Sequence, residues 1–190
     1  MQLKTPGARP ALVALALVTL VAGCNKPKPR DQGDRGGPIG APGATAPAPA
    51  PPRVATTTDP LPAPPKWAEA YIGKPLKDVF PNNSGTCVGN TDVVNLRYQG
   101  ATPGVRVEGW GWDPTAQKAV QHVLLVEDGG KIVGAAETGK PRPDVAAARK
   151  DITSPTTGWE GTTSDTAGGI YGYGITGDGK TACRLGHLIL

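Results

Sequence analysis

The side chains able to do chemistry in this chain gather into one aromatic and charged set rather than into a catalytic one. Trp110, Trp112 and Trp159 stand among glycines, Asp113 follows the second of them, and Arg142 and Asp144 flank Pro143 in a stiff turn. Rings of this kind can stack on the apolar face of a sugar, while carboxylate and guanidinium groups hydrogen-bond its hydroxyls. These six residues are candidate ligand contacts. A structural reading stands beside that one: tryptophan buries a large area, Trp110 and Trp112 share one face of a strand, Arg142 can pair with a carboxylate and Asp144 can cap the turn after it. Tyr171 and Tyr173, two residues apart, are likewise open between core and binding platform.

Catalysis needs a constellation, and its ingredients are sparse. Glu108, Asp113, Glu127 and Glu160 could include the carboxylate pair of a glycan hydrolase, yet nothing in their spacing selects two of them. His122 lies inside an apolar run and His187 near the end of the chain, neither with a close second ligand, so no metal site or Ser-His-Asp arrangement is indicated. Phosphate-cradling glycine motifs are absent as ordered patterns despite 27 glycines. The expectation is a binding domain with no catalytic residues, no metal and no cofactor.

Charge narrows the partners. Residues 1–66 carry eight Lys/Arg against three Asp, whereas residues 67–190 carry twelve Lys/Arg against thirteen Asp/Glu. The basic excess lies outside the part that folds, so no surface is expected to neutralise phosphates in the manner of a nucleic-acid groove.

The first residues explain where the chain goes. Lys4 and Arg9 precede the apolar run Ala11–Ala22, which has the length of a signal-peptide core and is too short to span a bilayer. The run ends in Val21-Ala22-Gly23-Cys24, which resembles the lipobox of bacterial lipoproteins. That resemblance implies cleavage after Gly23, lipidation of the Cys24 thiol and anchoring in a membrane of the bacterial cell envelope, with the rest of the chain in the periplasm or at the cell surface. Residues 24–66 follow as a Pro/Ala/Gly-rich linker, expected to be disordered, holding twelve of the 21 prolines. Residues 67–190 then form one domain.

Within that domain a short helix is expected around Trp67–Ile72, closed by Gly73 and Pro75, and helical turns around 143–150. Strands are expected at Asp92–Tyr98, Val105–Trp112, Val120–Glu127, Lys131–Ala136, Gly158–Thr162, Ile170–Thr176 and Thr181–Leu190, separated by Gly, Pro and Asp turns. The fold class is all-β: a single antiparallel β-sandwich, Ig-like or jelly-roll-like, with a small barrel as the nearest rival. Setting Cys24 aside leaves Cys87 and Cys183 in an oxidising compartment, where they are expected to form a disulfide; two separate thiols or a metal pair are the other readings.

Taken in order, Cys87-Val88-Gly89-Asn90-Thr91-Asp92, Val107-Glu108-Gly109-Trp110-Gly111-Trp112-Asp113, Leu125-Val126-Glu127, Ile132-Val133-Gly134, Gly139-Lys140-Pro141-Arg142-Pro143-Asp144-Val145, Gly158-Trp159-Glu160-Gly161 and Ala182-Cys183 resemble an uncharacterised bacterial envelope module. This module is associated with the periplasmic parts of membrane glycosyltransferase-like proteins. The resemblance covers most of residues 87–185 and implies an extracytoplasmic β-sandwich without an established reaction. Here the module stands alone behind a lipid anchor.

Together these readings describe a lipid-anchored envelope protein whose domain binds an envelope polysaccharide or a partner protein. A structural accessory subunit of an envelope assembly and a cell-wall glycan hydrolase are the alternatives. Replacing Cys24 with Ser should abolish labelling by a radioactive fatty acid and release the protein from membranes. Mature wild-type protein with no acyl mass would refute the anchor.

Overall fold

Val123 and Leu125 alternate with Leu124 and Val126, and all four are buried, so this strand must be covered on both faces. The computed structural model, which describes residues 54–190, shows what covers it. The expected signal peptide, Cys24 and the expected linker as far as residue 53 lie outside the described residues. In chain order the elements are β1 (Ala55–Thr57), α1 (Leu76–Val79), β2 (Val88–Tyr98), β3 (Gly104–Asp113), β4 (Lys118–Ala119), β5 (His122–Glu127), β6 (Ile132–Lys140), α2 (Pro143–Ala148), β7 (Gly158–Thr163), β8 (Gly169–Ile175) and β9 (Ala182–Ile189).

The all-β class holds, and every expected strand is present. They belong to one sheet, ordered β1-β2-β3-β7-β6-β5-β8-β9 with β4 added on β3, and every ladder is antiparallel except β1 on β2. The two layers of the sandwich are therefore continuous: the sheet curls until its ends meet. At this seam Ala182 N–H donates to the Asn82 carbonyl at 2.9 Å, and Gly85 N–H donates to the Ala182 carbonyl at 3.0 Å. Farther along, Gly172 N–H donates to Thr91 Oγ1 at 3.1 Å, and Gly186 lies so close to the Thr91 backbone that a Cβ there would collide. The Cys87–Cys183 disulfide closes the seam covalently, with Cα atoms 5.6 Å apart and 96 positions of separation.

Inside the curl, Val105 and Val107 of β3, Val123 and Leu125 of β5, Trp159 of β7 and Leu185 of β9 form the main core. Two smaller clusters lie on the outer face. Leu124, Val126 and Ile132 pack beneath Leu76 and Phe80, while Trp112 packs with Val145 of α2 and Ile152. The other side of β5 is thus covered by chain that precedes the main sheet.

That covering segment begins earlier than composition suggests. Residues 55–66, assigned to the linker on their proline content, belong to the folded body: Ala55–Thr57 pair with Leu96–Tyr98, and the Leu61 side chain occupies the space beside Gly104. Pro62 and Pro65 then border a hollow shared with Glu160 and Thr162, Trp67 stacks on His122 with centroids 4.1 Å apart, and Ala68 to Phe80 reach the outer cluster. The segment is a belt across the outside of the sheet. Proline suits it, because an extended strap needs few backbone donors.

The first helix is also displaced. Residues 67–72 form turns, and the helix begins after Pro75, which holds φ −62° and ψ 134° at its N-cap. Proline lacks the N–H that a helix start leaves unsatisfied, so Pro75 opens the helix it was expected to end.

Peptide mapping without reductant should recover Cys87 joined to Cys183. Replacing both with Ala should lower the unfolding free energy by up to about 4–5 kcal/mol in a urea titration, because the bond closes a loop of roughly a hundred residues. An unchanged midpoint would show that the seam holds without it.

Candidate functional site

The three tryptophans take three different places. Trp159 lies inside the curl at 1% exposure, its ring filling the space that a side chain on Gly109 would need. Trp112, also 1% exposed, is held under α2, while Trp110 at the edge of the same cluster is half-buried. The indole N–H groups of Trp112 and Trp159 find no acceptor in the protein. Burying a ring of this size gains about 4–6 kcal/mol, against roughly 1–3 kcal/mol for an unmet donor, so burial wins. Neither buried ring is available to stack on a ligand.

The charged candidates have local partners. Asp113 is buried, and its Oδ1 accepts from the backbone N–H groups of Thr115 and Ala116 at 2.9 and 3.0 Å, shaping the turn into β4. Arg142 donates from Nη1 to Asp92 at 2.6 Å and from Nε and Nη2 to Asp144 at 2.9 and 2.8 Å. It ties β2 to the start of α2. The hydrogen bonds from Arg142 hold the Asp144 carboxyl below its usual range, and the Asp144 and Asp92 carboxylates raise the already high pKa of the guanidinium.

Of the four carboxylates considered for hydrolysis, two meet. Glu108 of β3 stands in register with Glu160 of β7, which in turn stands in register with Glu137 of β6. Asn95 Nδ2 donates to Glu108, Arg106 Nε donates to Asn95 Oδ1 at 2.9 Å, and Arg106 approaches Glu160 at 3.8 Å. Burial raises the Glu108 pKa most, followed by its hydrogen bond with Glu160 and the charge of that neighbour. Glu108 and Glu160 are directly paired across the β3–β7 ladder, with Asn95 and Arg106 bonded to them from the neighbouring positions. Asp113 and Glu127 lie elsewhere on the sheet.

An open aromatic surface lies on β8 and β9. Tyr171 and Tyr173 both face outward, half-buried, with rings 6.5 Å apart in an edge arrangement. Tyr171 is paired across the ladder with His187, whose ring stacks on it at 4.3 Å, and the Arg184 guanidinium lies 4.2 Å from the Tyr171 centroid. His187 Nε2 reaches Asp128 Oδ1 at 3.1 Å, so the turn after β5 steadies the stack from the other side. The two tyrosines border a cleft of about 270 Å³ whose opposite wall is the belt: Leu76 and Val126 give it an apolar floor, and Lys77, Asn83, Glu127 and Asp128 a polar rim. Fixed aromatic surface with a few convergent polar groups is the usual make-up of a small-ligand site.

A larger hollow of about 430 Å³ lies between the turns after β3 and β8, and it is less suited to a ligand. It has no aromatic surface, and Asp113 and Asp178 are occupied in shaping the turns. Asp178 accepts from the Lys180 and Thr181 N–H groups and from the Thr176 and Thr181 hydroxyls, bonds that hold its carboxyl far below the usual range. Among the described residues no three His, Cys, Asp or Glu side chains are grouped to hold a metal ion.

Sequence spacing put Tyr171 and Tyr173 on one strand face and left their role open. The available signal was their alternation with Gly172 and Gly174, which concentrates ring surface on one side of β8. The opposite wall was out of reach, because Leu76, Lys77 and Asn83 arrive from a segment more than eighty residues away. Replacing Trp112 or Trp159 with Ala should each cost about 3–5 kcal/mol in urea unfolding, and Trp110 distinctly less. An equal loss at Trp110 would make it a core residue too.

No family model, curated protein or solved structure matches the chain.

Proposed function

We propose that this protein is a membrane-anchored lipoprotein of the bacterial envelope whose folded domain binds a glycan without acting on it chemically. The lipobox-like Val21-Ala22-Gly23-Cys24 supports the anchor. The observation that carries the binding reading is the Tyr171–Tyr173 cleft, where ring surface held in place by His187 and Arg184 faces an amide and charged groups across an apolar floor. A pyranose presents the matching chemistry: C–H groups on one face for the rings and hydroxyls at its edge for Asn83, Glu127 and Asp128. Because the rings are already ordered, little rotamer entropy is lost on binding.

Full-length protein in mild detergent should retain polysaccharide extracted from the bacterial envelope. Tyr173→Ala should weaken retention about tenfold, equivalent to ~1.4 kcal/mol, while Tyr171→Phe should keep it. Circular dichroism melting of both variants separates lost binding from lost fold. Wild-type protein that retains no envelope polysaccharide would overturn the reading.

A further inference from the structure

We infer that the glycan taken by the Tyr171–Tyr173 cleft is anionic, carrying a carboxylate or phosphate that Arg184 receives; this rests on the glycan-binding reading above. The argument begins with how the domain treats its other arginines. Arg106 lies 3.8 Å from Glu160, Arg142 grips Asp92 and Asp144, Arg149 pairs with Asp151 at 2.9 Å, and Arg97 donates to the Thr166 carbonyl at 3.2 Å. Among the described residues Arg184 alone has neither a carboxylate nor a hydrogen-bond acceptor, and what it does have is the face of Tyr171. Cation–π contact orders the guanidinium without using its N–H donors.

Its place in the sheet sets it beside the tyrosines, next to the residues that line the hollow. Arg184 stands opposite Tyr173 across the β8–β9 ladder and lies over Tyr171, so it adjoins both rings that border the hollow. Two carboxylates at the mouth have partners of their own. Glu127 pairs with Lys131 at 3.3 Å, with Asp165 close enough to feel both, and Asp128 is held by His187. Lys77 on the belt side is exposed and has no carboxylate within ion-pair distance among the described residues. One cation on the wall of the hollow and one beside its tyrosines are thus without a carboxylate. A sugar ring on the tyrosines brings a substituent to a planar fork of donors whose geometry fits a carboxylate or phosphate.

The test separates this inference from the reading beneath it. Polysaccharide extracted from the bacterial envelope is divided by anion exchange into neutral and acidic pools, and each is offered to the full-length protein. Retention of the acidic pool is expected, weakening as salt rises. Arg184→Gln should lower that retention at least tenfold and Lys77→Gln by a smaller factor, with unchanged melting curves. Reducing the carboxylates of the acidic pool, or removing its phosphates with hydrofluoric acid, identifies which anion is read. Retention of the neutral pool alone, or equal retention of both, overturns the anionic inference and leaves the glycan reading standing. Retention of neither pool overturns both. Undiminished acidic retention by Arg184→Gln removes the anion from this cleft and overturns the inference.

Discussion

Closure of the sheet where β2 meets β9 is the constraint on which the rest of the structure depends. A curled sheet with a solvent-filled gap would expose unpaired backbone groups and wet the interior valines. Three devices of different physical kind act at this line. Backbone bonds join Ala182 to Asn82 and Gly85, the Thr91 hydroxyl accepts from Gly172, and the Cys87–Cys183 bond removes freedom from the unfolded chain. Small residues make the approach possible, since a side chain at Gly186 would strike Thr91 and one at Gly89 would strike Leu185. The seam thus requires glycine and cysteine at particular positions rather than a long ladder.

A curled sheet has an outer face, and the apolar residues there need cover. Leu124, Val126 and Ile132 would face water if the chain began at Cys87, so the belt supplies Leu76 and Phe80. The same arrangement makes the cleft. Where the belt leaves the sheet, between Leu76 and Asn83, it stands off from Tyr171 and Tyr173 and encloses a hollow instead of filling one. Fold and cleft share a cause: the hollow is the margin of the cover.

The legibility of these features in the sequence tracks how local their causes are. Strand alternation is local, so seven of the nine strands were legible, all but β1 and the two-residue β4, and the turn chemistry around Pro143 placed α2. The disulfide followed from counting cysteines. Strand β1 was not legible, because three residues without ring or charge acquire their conformation from the edge of β2. Pro75 misled for a related reason, since proline is compatible with either end of a helical segment and only the packing of Leu76 decides which. The tryptophans show the limit most clearly: Gly109 beside Trp110 reads as an exposed platform, yet the glycine is there to admit Trp159 from the neighbouring strand.

The belt has a mechanical consequence. Any tension applied to the chain ahead of Val54 arrives first at β1, which has only three paired residues. Beyond β1 lie the stacking of Trp67 on His122 and the outer cluster, and the load stops at Cys87, which is bonded across to Cys183. Peeling residues 55–86 would release slack on the order of 100 Å at about 3.3 Å per extended residue, with the closed sheet still intact. It would also strip away the wall that carries Lys77 and Asn83. The domain is therefore built so that tension on the chain ahead of Val54 dismantles the cleft before it unfolds the core, and the shape of the hollow depends on the load carried by the belt.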